Sequence, residues 1–165
     1  MTQALYSIIE QAHGWMTRVP HSFIALLARI GIAAVFWQSG QTKIEGFVLN
    51  LATGEFVWGW PRLTDSAVAL FAEEYRLPLL SPLWAAPMAA VAEHVLPVLL
   101  VMGLATRWAA LGLLGMTLVI QLFVYPDAFW VHSLWAATLL LLVRDGAGRY
   151  SLDALIHTLT CKPEH

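Results

Sequence analysis

The sequence predicts an all-α integral membrane protein, a four-helix bundle with amphipathic N- and C-terminal segments and one long extracytoplasmic loop. Three observations carry that expectation. The 165 residues are 59% hydrophobic and only 12% charged, where a soluble domain is ~45–50% apolar and ~25% charged. Four stretches approach the roughly 20 apolar residues a helix needs to cross ~30 Å of hydrocarbon. Eight tryptophans fit the same class, because indole rings favour the membrane interface. A net charge of −2 gives no electrostatic footprint for nucleic acid. The single cysteine, Cys161, excludes an internal disulfide and any Cys-rich metal site.

Residues 1–20 form the first element, an interfacial helix. Leu5, Ile8, Ile9, Ala12 and Met16 share one helical face, opposite Gln3, Ser7, Glu10 and Gln11. No basic residue precedes Arg18 and no small-residue cleavage pattern follows a short apolar core, so no cleaved signal peptide is expected. The first span is 21–41, interrupted only by Arg29. Residues 42–81 follow as a loop, its first half marked by Gly46, Gly54, Gly59 and Pro61 and rich in Phe and Trp. In its second half Val68, Phe71, Ala72 and Tyr75 recur at helical spacing, which predicts a short surface helix. The second span, 82–103, carries Glu93 and His94. A tight turn at 103–107 leads into the third, 108–125, which Pro126 closes. The fourth is 128–143, with His132 near its start. A second interfacial helix, 150–160, has Ser151 as its N-cap and presents Leu152, Leu155, Ile156 and Leu159 on one side. There is no internal repeat, so the usual two-half transporter architecture is not expected.

Four spans put both termini on one side. That side carries Arg18, Arg107, Arg144, Arg149 and Lys162, against Lys43, Arg62 and Arg76 on the long, acid-diluted loop. The positive-inside rule then places both termini in the cytoplasm of a bacterial inner membrane.

Arg29 and Glu93 are the strongest candidates for chemistry, since a charge at a helix centre is costly and faces a partner inside the bundle. Arg29 lies about 12 Å from one end of its helix and Glu93 about 15 Å from the matching end of the next, at ~1.5 Å per residue. They are expected to pair, either as a structural clamp or as part of a proton-linked or ligand-binding site. His94 points ~100° away from Glu93 and either joins the same network as a candidate ligand-binding residue or, as favoured, bonds a neighbouring backbone group. A second polar band comprises Gln38 and Gln41 on the first helix, Gln121 and Tyr125 on the third and His132 on the fourth. It reads either as interface decoration or as a headgroup site for a lipid-like molecule or quinone, roofed by Phe56, Trp58 and Trp60. In the second case amide, phenol and imidazole would donate to carbonyl oxygens, and His132 would be the proton donor because imidazole titrates near ~6.5. His13, His21, His157 and His165 lack metal-ligand spacing, so no metal is expected. The sequence holds no nucleotide fingerprint, haem ligand pair or iron–sulfur cysteines, so electrons would come from a partner subunit.

The run LLARIGIAAVFWQSGQTKIEGF, Leu26 to Phe47, resembles the first helix of DoxX-family membrane proteins, with an early arginine (Arg29) and a far-end glycine and lysine (Gly40, Lys43). EYRLPLLSPLWAAPMAAVAEHVLPVLLVMGLATRWAALGLLGMTLVIQLFVYP and HSLWAATLLLLVRDGAGRYSLDAL are similar to later parts of that family. Its common Gly-Pro-Gly turn before Ser-Leu-Asp is here Gly146-Ala147-Gly148. The resemblance implies a four-helix membrane bundle and adds Lys43 to the candidate ligand-binding residues. It also implies a membrane subunit of a quinone-linked oxidoreductase system, with quinone as the candidate bound molecule. A non-catalytic anchor or assembly factor, as in metal-stress peptide biosynthesis, is the alternative. The expected partners are the lipid bilayer and either a partner subunit or a second copy of the chain.

Overall fold

A computed structural model describes residues 17–50 and 53–160, together with Tyr6, Glu10 and residues 13–15. The apolar stripe expected on Leu5, Ile8, Ile9, Ala12 and Met16 lies outside the described residues, as do Cys161, Lys162 and His165. The first long helix, α1 (His21–Gln41), starts directly after Pro20. Two antiparallel hairpins nest in the segment that follows it. β1 (Ile44–Glu45) pairs with β4 (Arg62–Leu63), and inside them β2 (Val48–Asn50) pairs with β3 (Glu55–Val57). α2 (Asp65–Leu70) is capped by Thr64, whose Oγ1 accepts from the Ala67 N–H at 3.2 Å. It continues as a π-turn, Phe71–Tyr75, and stops at Arg76, whose φ is 41°.

α3 (Pro82–Met102) starts with proline at a position where the missing N–H costs nothing. It ends in a Schellman turn. Gly103 takes φ 66°, its N–H bonds the Leu100 carbonyl at 3.0 Å, and the Leu104 N–H bonds the Leu99 carbonyl at 2.9 Å. α4 (Thr106–Val119) runs on into a second π-turn, Ile120–Val124. Pro126–Ala128 form a single 3-10 turn before α5 (Phe129–Asp145). α6 (Leu152–Thr160) closes the described chain, with the Ser151 hydroxyl accepting from the Ala154 N–H at 3.2 Å.

Four stretches are long and apolar enough to cross a membrane: His21–Gln41, Pro82–Met102, Thr106–Val124 and Pro126–Asp145. They stand side by side as α1, α3, α4 and α5, with α5 returning to α1. Their shared core is built from Ala25, Ala33, Ala109 and Ala110 with Ile32, Phe36, Leu100, Leu113, Leu139 and Leu142. Small residues let helix backbones approach closely, which drives packing where the solvent is itself apolar. No span has more than 33% of its apolar window buried. Side chains such as Leu27, Val91, Leu118 and Leu134 are exposed, an apolar outer surface that suits lipid rather than water.

Candidate ligand-binding cavity

Arg29 and Glu93 do not pair. Arg29 is 1% exposed, and its guanidinium donates to four carbonyls. Nε bonds Leu100 at 2.6 Å and Nη2 bonds Val101 at 2.6 Å. Nη1 bonds Ala147 at 2.9 Å and Tyr150 at 2.8 Å. The first two belong to the last turn of α3, where carbonyls lack the usual N–H four residues on. The other two belong to the turn between α5 and α6. The expectation failed on the stagger of the helices. Flush ends would bring Arg29 to the level of Glu93. Instead Gly40 abuts Glu93 and Arg29 abuts Gly103, a slide of about nine residues, roughly 14 Å. Gly40 allows this contact: a Cβ there would sit 2.7 Å from His94 Cε1 and 3.0 Å from Glu93 Cβ.

The stagger gives Glu93 a different cation. Lys43 lies two residues beyond α1, and its side chain turns back along the helix end. Nζ donates to the Ser39 carbonyl at 3.1 Å, one of the last carbonyls of α1. It also reaches Ser39 Oγ at 3.0 Å and Glu93 Oε1 at 3.0 Å, and lies 2.7 Å from Glu93 Oε2. The Ser39 hydroxyl donates to Glu93 Oε1 at 3.0 Å. Lys43 and Glu93 are each 3% exposed. Oε2 has no hydrogen-bond partner of good angle, so its contact with Nζ is chiefly electrostatic.

His94 faces the other way. Its Nδ1 bonds the Ala90 carbonyl at 2.6 Å and so carries the hydrogen, while Nε2 accepts from Gln41 Nε2 at 2.9 Å. Gln41 Oε1 in turn accepts the Leu49 N–H at 2.7 Å, and the Trp37 indole donates to the Leu49 carbonyl at 2.9 Å. The chain of bonds fastens β2 to α1 and α3.

On the inner side of Glu93 the bundle opens into a cavity of about 400 Å³. Its walls are mostly apolar, with Phe36, Ala85, Ala89, Met116, Val119 and Ile120 prominent, and its polar lining comprises Ser39, Glu93, Tyr75, Tyr125, His132 and Trp135. Phe71, Tyr75, Leu77 and Leu80 from the α2 segment close its loop end. The expected roof of Phe56, Trp58 and Trp60 lies elsewhere: none of them lines the cavity, Phe56 and Trp58 pack against Phe47, and all three stay exposed. Both π-turns line the cavity, one supplying Phe71 and Tyr75, the other Ile120 and Val124. Such turns re-aim side chains within a helix. Met88 on α3 and Val119 on α4 line the cavity yet remain exposed, so it opens sideways between those helices.

The polar band divides. Gln38 is exposed and does not line the cavity. Nor do His94 and Lys43, although Lys43 holds Glu93, which does. His132 is 5% exposed and lines the cavity. Its Nδ1 bonds Gln121 Oε1 at 2.7 Å, and Gln121 Nε2 donates to the Pro126 carbonyl at 2.7 Å. Gln121 therefore orients His132 from an outer groove between α4 and α5 and does not line the cavity. Tyr125 donates its hydroxyl to Glu74 at 2.7 Å, so that phenol is not free to donate inward. This bond to a carboxylate, and secondarily burial, hold the Tyr125 phenol above the usual tyrosine range. Burial, reinforced by Tyr125, does the same to Tyr75. Ser39 and Trp135 escaped the sequence reading, which took charged residues, Gln, Tyr and His as its polar signals. The signal for Ser39 was its spacing of four from Lys43, one helical turn.

Among the described residues no group of three His, Cys, Asp or Glu side chains could hold a metal. The fold and site together define a four-span helical membrane protein with a buried ion pair beside a laterally open, largely apolar cavity. The chain belongs to the DoxX family, whose sequence profile matches residues 24–126. Comparison with curated proteins and with solved structures finds no match.

Proposed function

We propose that this protein is the membrane subunit of a quinone-linked oxidoreductase system and binds the quinone ring in the cavity lined by His132 and Glu93. The cavity carries the reading. Its volume of about 400 Å³ falls in the range of small-molecule sites, and a few polar groups in an apolar lining are what fixes a ring and admits a tail. The opening between Met88 and Val119 suits a ligand that arrives from lipid. The sequence supplies no redox centre, so a partner subunit would exchange electrons with the bound ring. The bilayer would be a bacterial inner membrane, with both termini cytoplasmic and the hairpin segment outside.

The test is to extract wild type and an Ala89→Trp variant in mild detergent and quantify quinone against protein. Ala89 lines the cavity, and an indole there would fill it. Quinone retained by wild type and lost from the variant is the expected result. Equal retention, or none in wild type, defeats the reading. The alternative is a non-catalytic anchor or assembly factor. It is favoured by one observation: Leu155, Ile156 and Leu159 of α6 are exposed on one face, a stripe that can lie on lipid or dock a soluble partner.

A further inference from the structure

We infer that the cavity selects the reduced ligand, a hydroquinone headgroup, over the corresponding quinone. The inference rests on the reading of the cavity as a quinone site and follows from which hydrogen-bonding atoms on its walls remain free. The Pro126 carbonyl can only accept, so the Gln121 amide nitrogen must face it and Oε1 must face His132. An amide oxygen also only accepts, so His132 Nδ1 carries the hydrogen. His132 makes no ion pair among the described residues, and with the hydrogen on Nδ1 the neutral form of the ring presents a lone pair at Nε2. No described residue donates to it.

Two donors on the walls are engaged. Ser39 donates to Glu93 and Tyr125 to Glu74, while the Tyr75 ring packs edge-on against that of Tyr125 at 6.0 Å. Lys43, behind Glu93, divides its three hydrogens between Ser39 and Glu93. The Trp135 indole N–H bonds nothing among the described residues. Its ring lies 5.0 Å from that of His132.

A hydroxyl matches this set, because it donates to His132 Nε2 and can accept from Trp135. A carbonyl oxygen can accept from Trp135 but brings no hydrogen to His132 Nε2, so the imidazole lone pair is covered by the ligand without a partner. Sites built to receive a hydroxyl reject analogues that lack it, because the unpaired site atom has lost its water. The preference is therefore set by Gln121, a positioning residue that acts only through the tautomer of His132.

Equilibrium dialysis of the full chain in lipid nanodiscs tests this, using a short-tailed benzoquinone in its oxidised form and, anaerobically, its reduced form. Wild type is expected to bind the reduced form roughly tenfold or more tightly. Gln121→Leu releases the imidazole to expose either nitrogen hydrogen, so it should keep binding while the ratio shrinks toward unity. Equal binding of both forms by wild type, or preference for the oxidised form, overturns the inference and leaves the site standing. Absence of binding by either form overturns both the site and the inference. A Gln121→Leu ratio unchanged from wild type also overturns the inference, since the tautomer would not be its source.

Discussion

Lys43 Nζ lies 2.7 Å from Glu93 Oε2, so the intramembrane carboxylate is neutralised by a lysine from beyond the helix end rather than by the arginine within the span. The pair joins α1 to α3 where Gly40 lets them touch. Each residue is 3% exposed, and removing one partner of such a pair leaves the other charge uncompensated, typically at ~3–5 kcal/mol. Lys43→Met and Glu93→Gln should each lower thermal stability in detergent by about that much. The double variant should regain most of the loss. Full additivity of the two singles would show that they are not coupled.

Arg29 has a separate role, joining three chain segments through four carbonyls. A lysine in its place has three hydrogens on one flexible point and no planar fork. Arg29→Lys should therefore cost ~3 kcal/mol or more, at about 1.5–3 kcal/mol for each charge-assisted bond lost. Amide exchange should rise across 146–160, because the Ala147 and Tyr150 carbonyls lose their anchor. Arg29→Leu combined with Glu93→Leu should show no rescue. Recovery in that double variant would restore the direct pairing that the geometry denies.

The transmembrane helices were legible because an apolar run of about 20 residues has few other fates. The hairpins were not, because strands of two and three residues carry no measurable alternation. The identities of the buried charges were equally legible, since cost alone marks them. Their pairing was not. It depends on an axial slide of α1 along α3 that Gly40 permits, and depth counted from helix ends assumes no slide. Gln121 illustrates the same limit: its residue type suggested a ligand contact, whereas its amide is engaged by Pro126 and His132.

Tyr75 and Tyr125 meet at the loop end of the cavity, ring centroids 6.0 Å apart, and both phenols are held above their usual range. A folded value raised above the unfolded one stabilises the fold fully below the ordinary tyrosine pKa of ~10. That contribution is lost as pH rises through the folded values. Absorbance titration at alkaline pH should show two of the four tyrosines ionising late. Glu74→Gln should bring Tyr125 down, because the bond to that carboxylate is the largest cause of its shift. Simultaneous ionisation of all four would contradict the arrangement.

The remaining prediction concerns orientation. Arg18, Arg107, Arg144 and Arg149 lie at the end of the bundle where α1 begins and α5 ends, whereas Lys43, Arg62 and Arg76 lie at the hairpin end. Lys43 is neutralised by Glu93 inside the protein, so it offers the lipid headgroups no charge. That leaves four arginines against two, with the two accompanied by exposed Glu55, Asp65, Glu73 and Glu74. Cytoplasmic ends carry the excess of Lys and Arg. A reporter active only outside the cytoplasm, inserted at exposed Thr53, should therefore give signal, and the same reporter fused after the last residue should not. Lys43→Gln should leave that pattern unchanged if its charge is already cancelled. Arg107→Glu with Arg149→Glu should weaken it, because these two are half of the four arginines at that end. Signal from the C-terminal fusion alone would invert the topology and put the cavity's tyrosine-lined end toward the cytoplasm.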